Sequence, residues 1–249
     1  MTSTVSAQPE WDKKRKGNRN GSTQRSMYPI VAARGLTRQV LGPAGPLIIL
    51  SDVNLEIEAG EAVAIQGPSG SGKSTLLGQL AGLDTPTSGS VHLLGQNLSN
   101  LDEDGKAEIR AGKVGFVFQM FHLISGFTAL ENVELALELA GQKNSRLTAV
   151  HMLESVGLRE RMNHLPIQLS GGEQQRVAVA RAFAIKPKVL FADEPTGNLD
   201  SDTGKLIANM LFAMRREYKS TLVLVTHDAV LASRCDRILT MESGRLQAV

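Results

Sequence analysis

From Pro29 onward, short continuous apolar runs alternate with stretches in which apolar residues recur every three to four positions. Apolar runs of strand length without polar alternation belong to strands buried on both faces. Their alternation with helical patterns predicts an α/β fold around a largely parallel sheet. Three runs are informative: Ala62–Ile65 ends in a glycine-rich turn, Val189–Ala192 ends in Asp193-Glu194, and Leu222–Val225 ends in Thr226-His227. Ligands of open α/β sheets sit at the carboxyl ends of strands, so these three ends are expected to converge on one crevice. Helical spacing is clearest at Leu130, Val133, Leu137 and Ala140, and again at Leu206, Ile207, Met210, Leu211 and Met214. Each set is expected to form one apolar face packed on the core, with the methionines filling gaps. Between Gln119 and Leu169 the strand pattern gives way to helical segments broken at 141–145 and 163–166, which predicts a helical insertion in the α/β core.

Composition narrows the class. In 249 residues, 42% are hydrophobic, 21% charged and 4% aromatic, the balance of a soluble globular chain. No run approaches the roughly 18 apolar residues of a membrane-spanning helix. Residues 1–27 are polar and lack the apolar stretch of a secretory signal, so a cytosolic location is expected. One cysteine, Cys235, forms no internal disulfide, and five scattered histidines give no zinc-site spacing, so any metal is expected on oxygen ligands. The formal charge of +2 is uneven: residues 1–27 carry six basic against two acidic residues, a net +4 that leaves the remainder at −2. That Gly/Ser/Asn-rich segment reads as a disordered basic tail, either solvated or a contact for anionic lipid or nucleic acid.

Gly67-Pro68-Ser69-Gly70-Ser71-Gly72-Lys73-Ser74-Thr75 is a full G-x-x-x-x-G-K-[ST] match, lying between the 62–65 strand and a helix-like Leu76-Leu77-x-x-Leu80-Ala81 pattern. The chemistry needs these residue types. Glycines let the backbone wrap closely, backbone N–H groups and a helix N-terminus meet phosphate charge, Lys73 adds a cation, and Ser74 offers an oxygen to Mg²⁺. Asp193 closes a buried strand and is placed to reach the magnesium's water shell. Side chains alternate along a strand, so adjacent Glu194 points elsewhere and can orient an attacking water.

Leu169-Ser170-Gly171-Gly172-Glu173-Gln174-Gln175-Arg176 precedes the Asp193-Glu194 strand by about twenty residues and is not needed by a generic P-loop enzyme. It resembles the signature of ATP-binding-cassette (ABC) ATPases. In the same resemblance Gln119 after Val117-Phe118 corresponds to the Q-loop, Asn198-Leu199-Asp200 to the D-loop and His227 to the switch histidine. Phe116-Val117-Phe118-Gln119, Leu130-Glu131-Asn132-Val133 and Ala192 through Asp200 are similar to the lipoprotein-releasing and macrolide-export group, including the LolD, MacB and YbbA types. Thr226-His227-Asp228 and Arg234-Cys235-Asp236-Arg237 are most similar to the YbbA type.

The resemblance implies a P-loop NTPase (RecA-like) core with a mostly parallel sheet, an antiparallel β part near the N-terminus and a helical subdomain. The corresponding division is a tail at 1–27 and a cassette at 28–249, with the α/β core at 28–118 and 171–249 and the helical subdomain at 119–170. It implies ATP and Mg²⁺ as ligands, with Glu194 polarising water, Asp193, Ser74 and Gln119 placing Mg²⁺, and Gln119 and His227 sensing the γ-phosphate. Ser170, Gly171 and Gly172 form a second phosphate-seeking turn ahead of a helix; the family pattern turns it toward the nucleotide of a second copy in a two-fold dimer. A plain helix cap is the alternative for Ser170. Asp200 supports the dimer contact or caps a turn.

The family's adenine-stacking aromatic is missing: Leu36-Thr37-Arg38-Gln39-Val40 has none, Tyr28 lies too far upstream, and Val40 is the nearest equivalent. A branched aliphatic covers a base without π-stacking, so weak discrimination among purine triphosphates is expected. The resemblance further implies an integral membrane permease as partner on the cytoplasmic face of the inner membrane, and no direct nucleic-acid partner. Met120, Phe121, Leu123, Ile124 and Phe127 form an apolar cluster beside Gln119, fit either for a partner's coupling helix or for packing of the insertion. An ABC ATPase acting on DNA or ribosomes, and a scaffold that binds nucleotide without hydrolysis, are the competing readings. The chain is short for the first, and every catalytic position the second would lack is filled.

Overall fold

The computed structural model describes residues 29–42 and 45–248. The basic segment 1–27 and Tyr28 lie outside them. Two sheets organise the chain. The first is antiparallel, in the order β2-β1-β4-β5, from β1 (Val31–Gly42), β2 (Gly45–Ile57), β4 (Ser88–Leu93) and β5 (Gln96–Asn97). The second has the order β10-β9-β3-β8-β7-β6, from β3 (Ala62–Gln66), β6 (Val114–Phe118), β7 (Val189–Asp193), β8 (Thr221–Val225), β9 (Arg237–Glu242) and β10 (Arg245–Ala248). Strands β9, β3, β8, β7 and β6 run parallel, and β10 returns antiparallel to β9.

The continuous apolar runs are explained by burial on both faces. On β7, Leu190 and Ala192 enter one core while Val189 and Phe191 enter the other; on β8, Leu222 and Leu224 oppose Val223 and Val225. One core lies between this sheet and the antiparallel sheet and encloses α1 (Lys73–Leu80) through Leu76, Leu77 and Leu80. The other lies under α3 (Ala129–Leu139), α4 (Ser145–Ser155), α5 (Gly171–Ala184) and α6 (Ser201–Tyr218). The short helices α2 (Glu103–Arg110) and α7 (Ala229–Ala232) complete the element order.

Helices α3 and α4 are the insertion expected from the sequence, and they share a core with the sheet: Leu130, Val133, Leu137 and Leu153 join the cluster that holds Val117, Leu190 and Leu222. Helix α5 packs against α3 and α4 as well as against β6 and α6, so the signature helix joins the insertion to the sheet. On α6 the expected apolar face is narrower than the spacing predicts. Ile207, Leu211 and Met214 are buried together with Ala208 and Phe212, whereas Leu206 is 49% exposed. Position 206 precedes the buried stripe by one residue, about 100° around the helix, and so falls outside it.

Candidate active site

The three strand ends do converge. The Glu194 N–H donates to the Val225 carbonyl at 2.9 Å and the Thr226 N–H to the Ile65 carbonyl at 3.3 Å, tying β7, β8 and β3 together where their chemistry begins. They open on a cleft of about 820 Å³ lined by Gly67, Ser69, Gly70, Gly72, Lys73, Ser74, Thr75, Gln119, Glu194 and His227. Pro68 and Ser71 complete the same loop.

The loop is built for close approach. A Cβ on Gly67 would stand 2.1 Å from the Met241 carbonyl oxygen. Gly72, with φ of 100° at the N-cap of α1, would bring one to 2.8 Å from the Ile49 oxygen. Helix α1 therefore begins without a side-chain cap, leaving its first backbone N–H groups for an anion. Lys73 is 9% exposed and donates from Nζ to the Gly67 and Pro68 carbonyls at 2.9 and 2.8 Å, so a third N–H remains for a ligand. The Ser71 hydroxyl is buried without a hydrogen-bond partner, a cost that a phosphate oxygen in this loop would remove.

At the end of β7 the two acids diverge as the alternation predicted. Ser74 Oγ donates to Asp193 Oδ1 at 3.1 Å, while Glu194 Oε2 lies 2.8 Å from His227 Nδ1 and accepts weakly from the His227 N–H at 3.4 Å. A second cause was not legible from alternation. Glu194 has φ of 45°, a left-handed conformation uncommon outside glycine, which turns its side chain toward β8. A ring that donates from Nδ1 to a carboxylate leaves Nε2, when neutral, as an acceptor. Burial pushes the Asp193 carboxyl above the usual carboxylate range; the Ser74 hydroxyl opposes this, the Glu194 charge adds to it and Lys73 opposes it. The Ser74 and Asp193 oxygens fit a hard cation that keeps several waters. Among the described residues no cluster of three or more His, Cys, Asp or Glu suits a metal, so phosphate and water oxygens would have to complete such a shell.

Ser170, Gly171, Gly172 and Asp200 are not in this cleft. They line a separate cavity of about 290 Å³ with Asn198, Thr203 and Leu206. Both caps foreseen as alternatives are present. Ser170 forms a capping box with Glu173 at the start of α5, and Asp200 accepts from the Asp202 and Thr203 N–H groups at 3.1 and 3.0 Å to begin α6. Hydrogen bonds from the Ser170 N–H and hydroxyl, with Arg161 nearby, hold Glu173 below the usual carboxylate range.

Val40 does not line the nucleotide cleft. Its partner across the hairpin, Leu47, does, together with Ile48 and Ile49. Spacing from the P-loop selects a position on β1, but the β1–β2 register decides which strand supplies the wall. The sequence also did not single out Ser243 and Gly244, whose turn lies on the P-loop, with the Gly244 N–H donating to the Ser71 carbonyl at 3.1 Å. The apolar cluster beside Gln119 divides: Met120, Ile124 and Phe127 are exposed, whereas Leu123 packs on the core and Phe121 is half-buried. Two polar side chains hold its backbone, Asn132 buried and Arg181 half-buried. Asn132 accepts from the Ile124 N–H and donates to the Ile124, Phe127 and Thr128 carbonyls, and Arg181 donates to the Phe121 and His122 carbonyls.

A profile of the ABC transporter family matches residues 50–197. The ABC transporter ATP-binding protein YbbA of Escherichia coli K12 is 55% identical over 220 residues, covering 88% of this chain and 96% of the relative. The lipoprotein-releasing system ATP-binding protein LolD 2 of Caulobacter vibrioides is 46% identical over 221 residues, covering 88% and 97%. Among solved structures, the ATP-binding cassette MJ0796, described as a dimer in a post-hydrolysis state bound to ADP and Pi, superposes with a TM-score of 0.82 at 41% identity, covering 88% of this chain and 98% of that one. With the P-loop, the paired acids and the signature helix placed by the fold, this chain belongs to the ABC transporter family and is an ATP-binding cassette with ATPase chemistry.

Proposed function

We propose that two copies of this chain close head to tail on two ATP molecules, hydrolyse them with Mg²⁺, and transmit the closure to an integral membrane permease. The observation that carries this reading is the separation of two half-sites: Lys73, Ser74, Glu194 and His227 line one cleft, and Ser170, Gly171 and Gly172 line another with no residue in common. A two-fold axis brings each cleft to the other copy's signature turn. Mg²⁺ when bound supplies charge to the phosphates, and Ser74, Asp193 and Gln119 are the residues that would hold it. Glu194 takes the proton of the attacking water, with His227 beside it, and Lys73 with the backbone N–H groups at the start of α1 holds the phosphates.

Met120, Ile124 and Phe127 form the exposed apolar anchor for the permease, on a loop whose backbone Asn132 and Arg181 fix. The described residues contain no helix long and apolar enough to cross a membrane, and the work of hydrolysis is passed to a partner on the cytoplasmic face of the inner membrane. The similarity to lipoprotein-releasing cassettes favours export, extraction of lipid-linked or hydrophobic cargo, or transmission of force across the membrane.

Lys73→Ala and Gly171→Asp test the shared site. The aspartate meets ordinary space at 171 and suits a helix N-terminus, so it blocks phosphate without harming the fold. Each variant alone is expected to be inactive. An equal mixture regains up to about a quarter of the wild-type sites, because mixed dimers contain one intact pair of halves. An inactive mixture that still forms dimers would count against the shared site.

A further inference from the structure

Gln119 follows β6, is exposed, and lines the nucleotide cleft. The two ends of its amide have opposite chemistry, a donor and an acceptor of nearly equal size, so its use depends on which end is presented. Asn198 decides this. Asn198 Nδ2 donates to the backbone carbonyl of Gln119 at 3.1 Å and lies 3.3 Å from Met120 Sδ. A carbonyl oxygen only accepts, so that end of Asn198 must be its nitrogen. Its Oδ1 then only accepts, and it faces Gln119 Nε2 at 3.0 Å. The backbone carbonyl therefore fixes both amides, and Gln119 Oε1 is the end that Asn198 leaves free. Glycine at 197 leaves room for this amide, since a Cβ there would stand 3.0 Å from Nε2.

We propose that Asn198 is a positioning residue that sets the polarity of the Gln119 amide, so that oxygen rather than nitrogen is offered to the Mg²⁺–nucleotide. A hard cation takes oxygen ligands and is repelled by an N–H donor, so a reversed amide would work against the metal. Asn198 also lines the signature cavity, which joins the polarity of Gln119 in one cleft to the surface offered by the other. The inference rests on the assignment of Gln119 to the Mg²⁺–nucleotide made under Proposed function.

The test is the binding of a non-hydrolysable ATP analogue to the full chain with and without Mg²⁺, read as the factor by which Mg²⁺ tightens binding. Asn198→Leu keeps the size of an exposed side chain and removes both hydrogen bonds. It is expected to lose about 2- to 10-fold of the tightening, the worth of one net hydrogen bond, with metal-free affinity unchanged. Asn198→Asp keeps an acceptor for Nε2 and is expected to retain the tightening within about twofold. Asn198→Ala reads the same loss if the leucine variant does not fold. Wild-type tightening in Asn198→Leu and Asn198→Ala, with loss in Gln119→Ala, would overturn the role of Asn198 and leave that of Gln119 standing. Wild-type tightening in Gln119→Ala would overturn both.

Discussion

The strand-end cleft and the signature surface of this chain are built on opposite principles. The cleft at the strand ends keeps polar groups in unfavourable surroundings: the Ser71 hydroxyl is buried without a partner, Asp193 is desolvated, Glu194 is held in a left-handed conformation, and α1 starts without a side-chain cap. The helix starts at the signature surface are capped within their own chain, although Gln175 Oε1 of α5 is buried without a partner. Ser170 and Glu173 close a capping box, Asp200 caps α6, and Ser170 and Gly171 are exposed. A ligand in the cleft would relieve the polar groups there, whereas the caps at Ser170 and Asp200 are complete without one. Sites that break local rules are where function is expected, and the strand-end cleft breaks more of them than the signature surface does.

Substitutions sharpen this contrast in order of expected effect. Glu194→Gln keeps the size of the side chain and removes its basicity. Turnover is expected to fall by roughly 10²- to 10⁴-fold with ATP binding retained and a closed dimer accumulating on size exclusion. Normal phosphate release from that variant would remove Glu194 from the catalytic role.

Asp193→Asn separates function from stability. Burial raises the native pKa of Asp193, so its contribution to stability is present in full below the unfolded carboxylate pKa and is lost as pH rises through the higher native value. At neutral pH the nucleotide-free Asn variant is therefore expected to melt above wild type while losing Mg²⁺-dependent turnover, and its advantage should shrink on acidification. A lower melting temperature at neutral pH would show that the carboxylate is not under desolvation stress.

The apolar wall gives a smaller effect. Leu47→Ser is expected to weaken nucleotide binding by about 3- to 10-fold, the loss of part of one apolar contact, whereas Val40→Ala leaves affinity and purine preference nearly unchanged. Equal losses at both positions in titrations with ATP and GTP would return Val40 to the base-binding wall. Smallest in turnover is Asn132→Ala. It leaves the Ile124 N–H without its acceptor and costs about 1–3 kcal/mol of stability, while basal ATPase changes little and capture of the permease weakens. Unchanged melting and undiminished co-purification with the permease would show that the 124–128 loop needs no such brace.

Much of the site was legible because its chemistry is local. The P-loop spacing, the strand-terminal acids and the signature turn are each contiguous, and their types follow from what phosphate, Mg²⁺ and helix N-termini require. What was not legible depends on distant pairing. Spacing points to Val40 as the base contact until the hairpin register brings its partner Leu47 to the cleft instead. Leu206 fits a helical period until the position of the stripe excludes it. The five-residue apolar cluster divides into core and surface only when Asn132 and Arg181 draw the loop backbone inward.

The sequence by itself determined the class of fold, through strands apolar on both faces, and set the P-loop and the acids at the ends of its strands. Tertiary structure alone decided that the P-loop and the signature turn line separate cavities, and that Asn198 faces Gln119 from 79 residues away along the chain. The reason is physical. Residue type and short spacing fix what a group can bond, but which partner meets it depends on sheet order and the turns at strand ends.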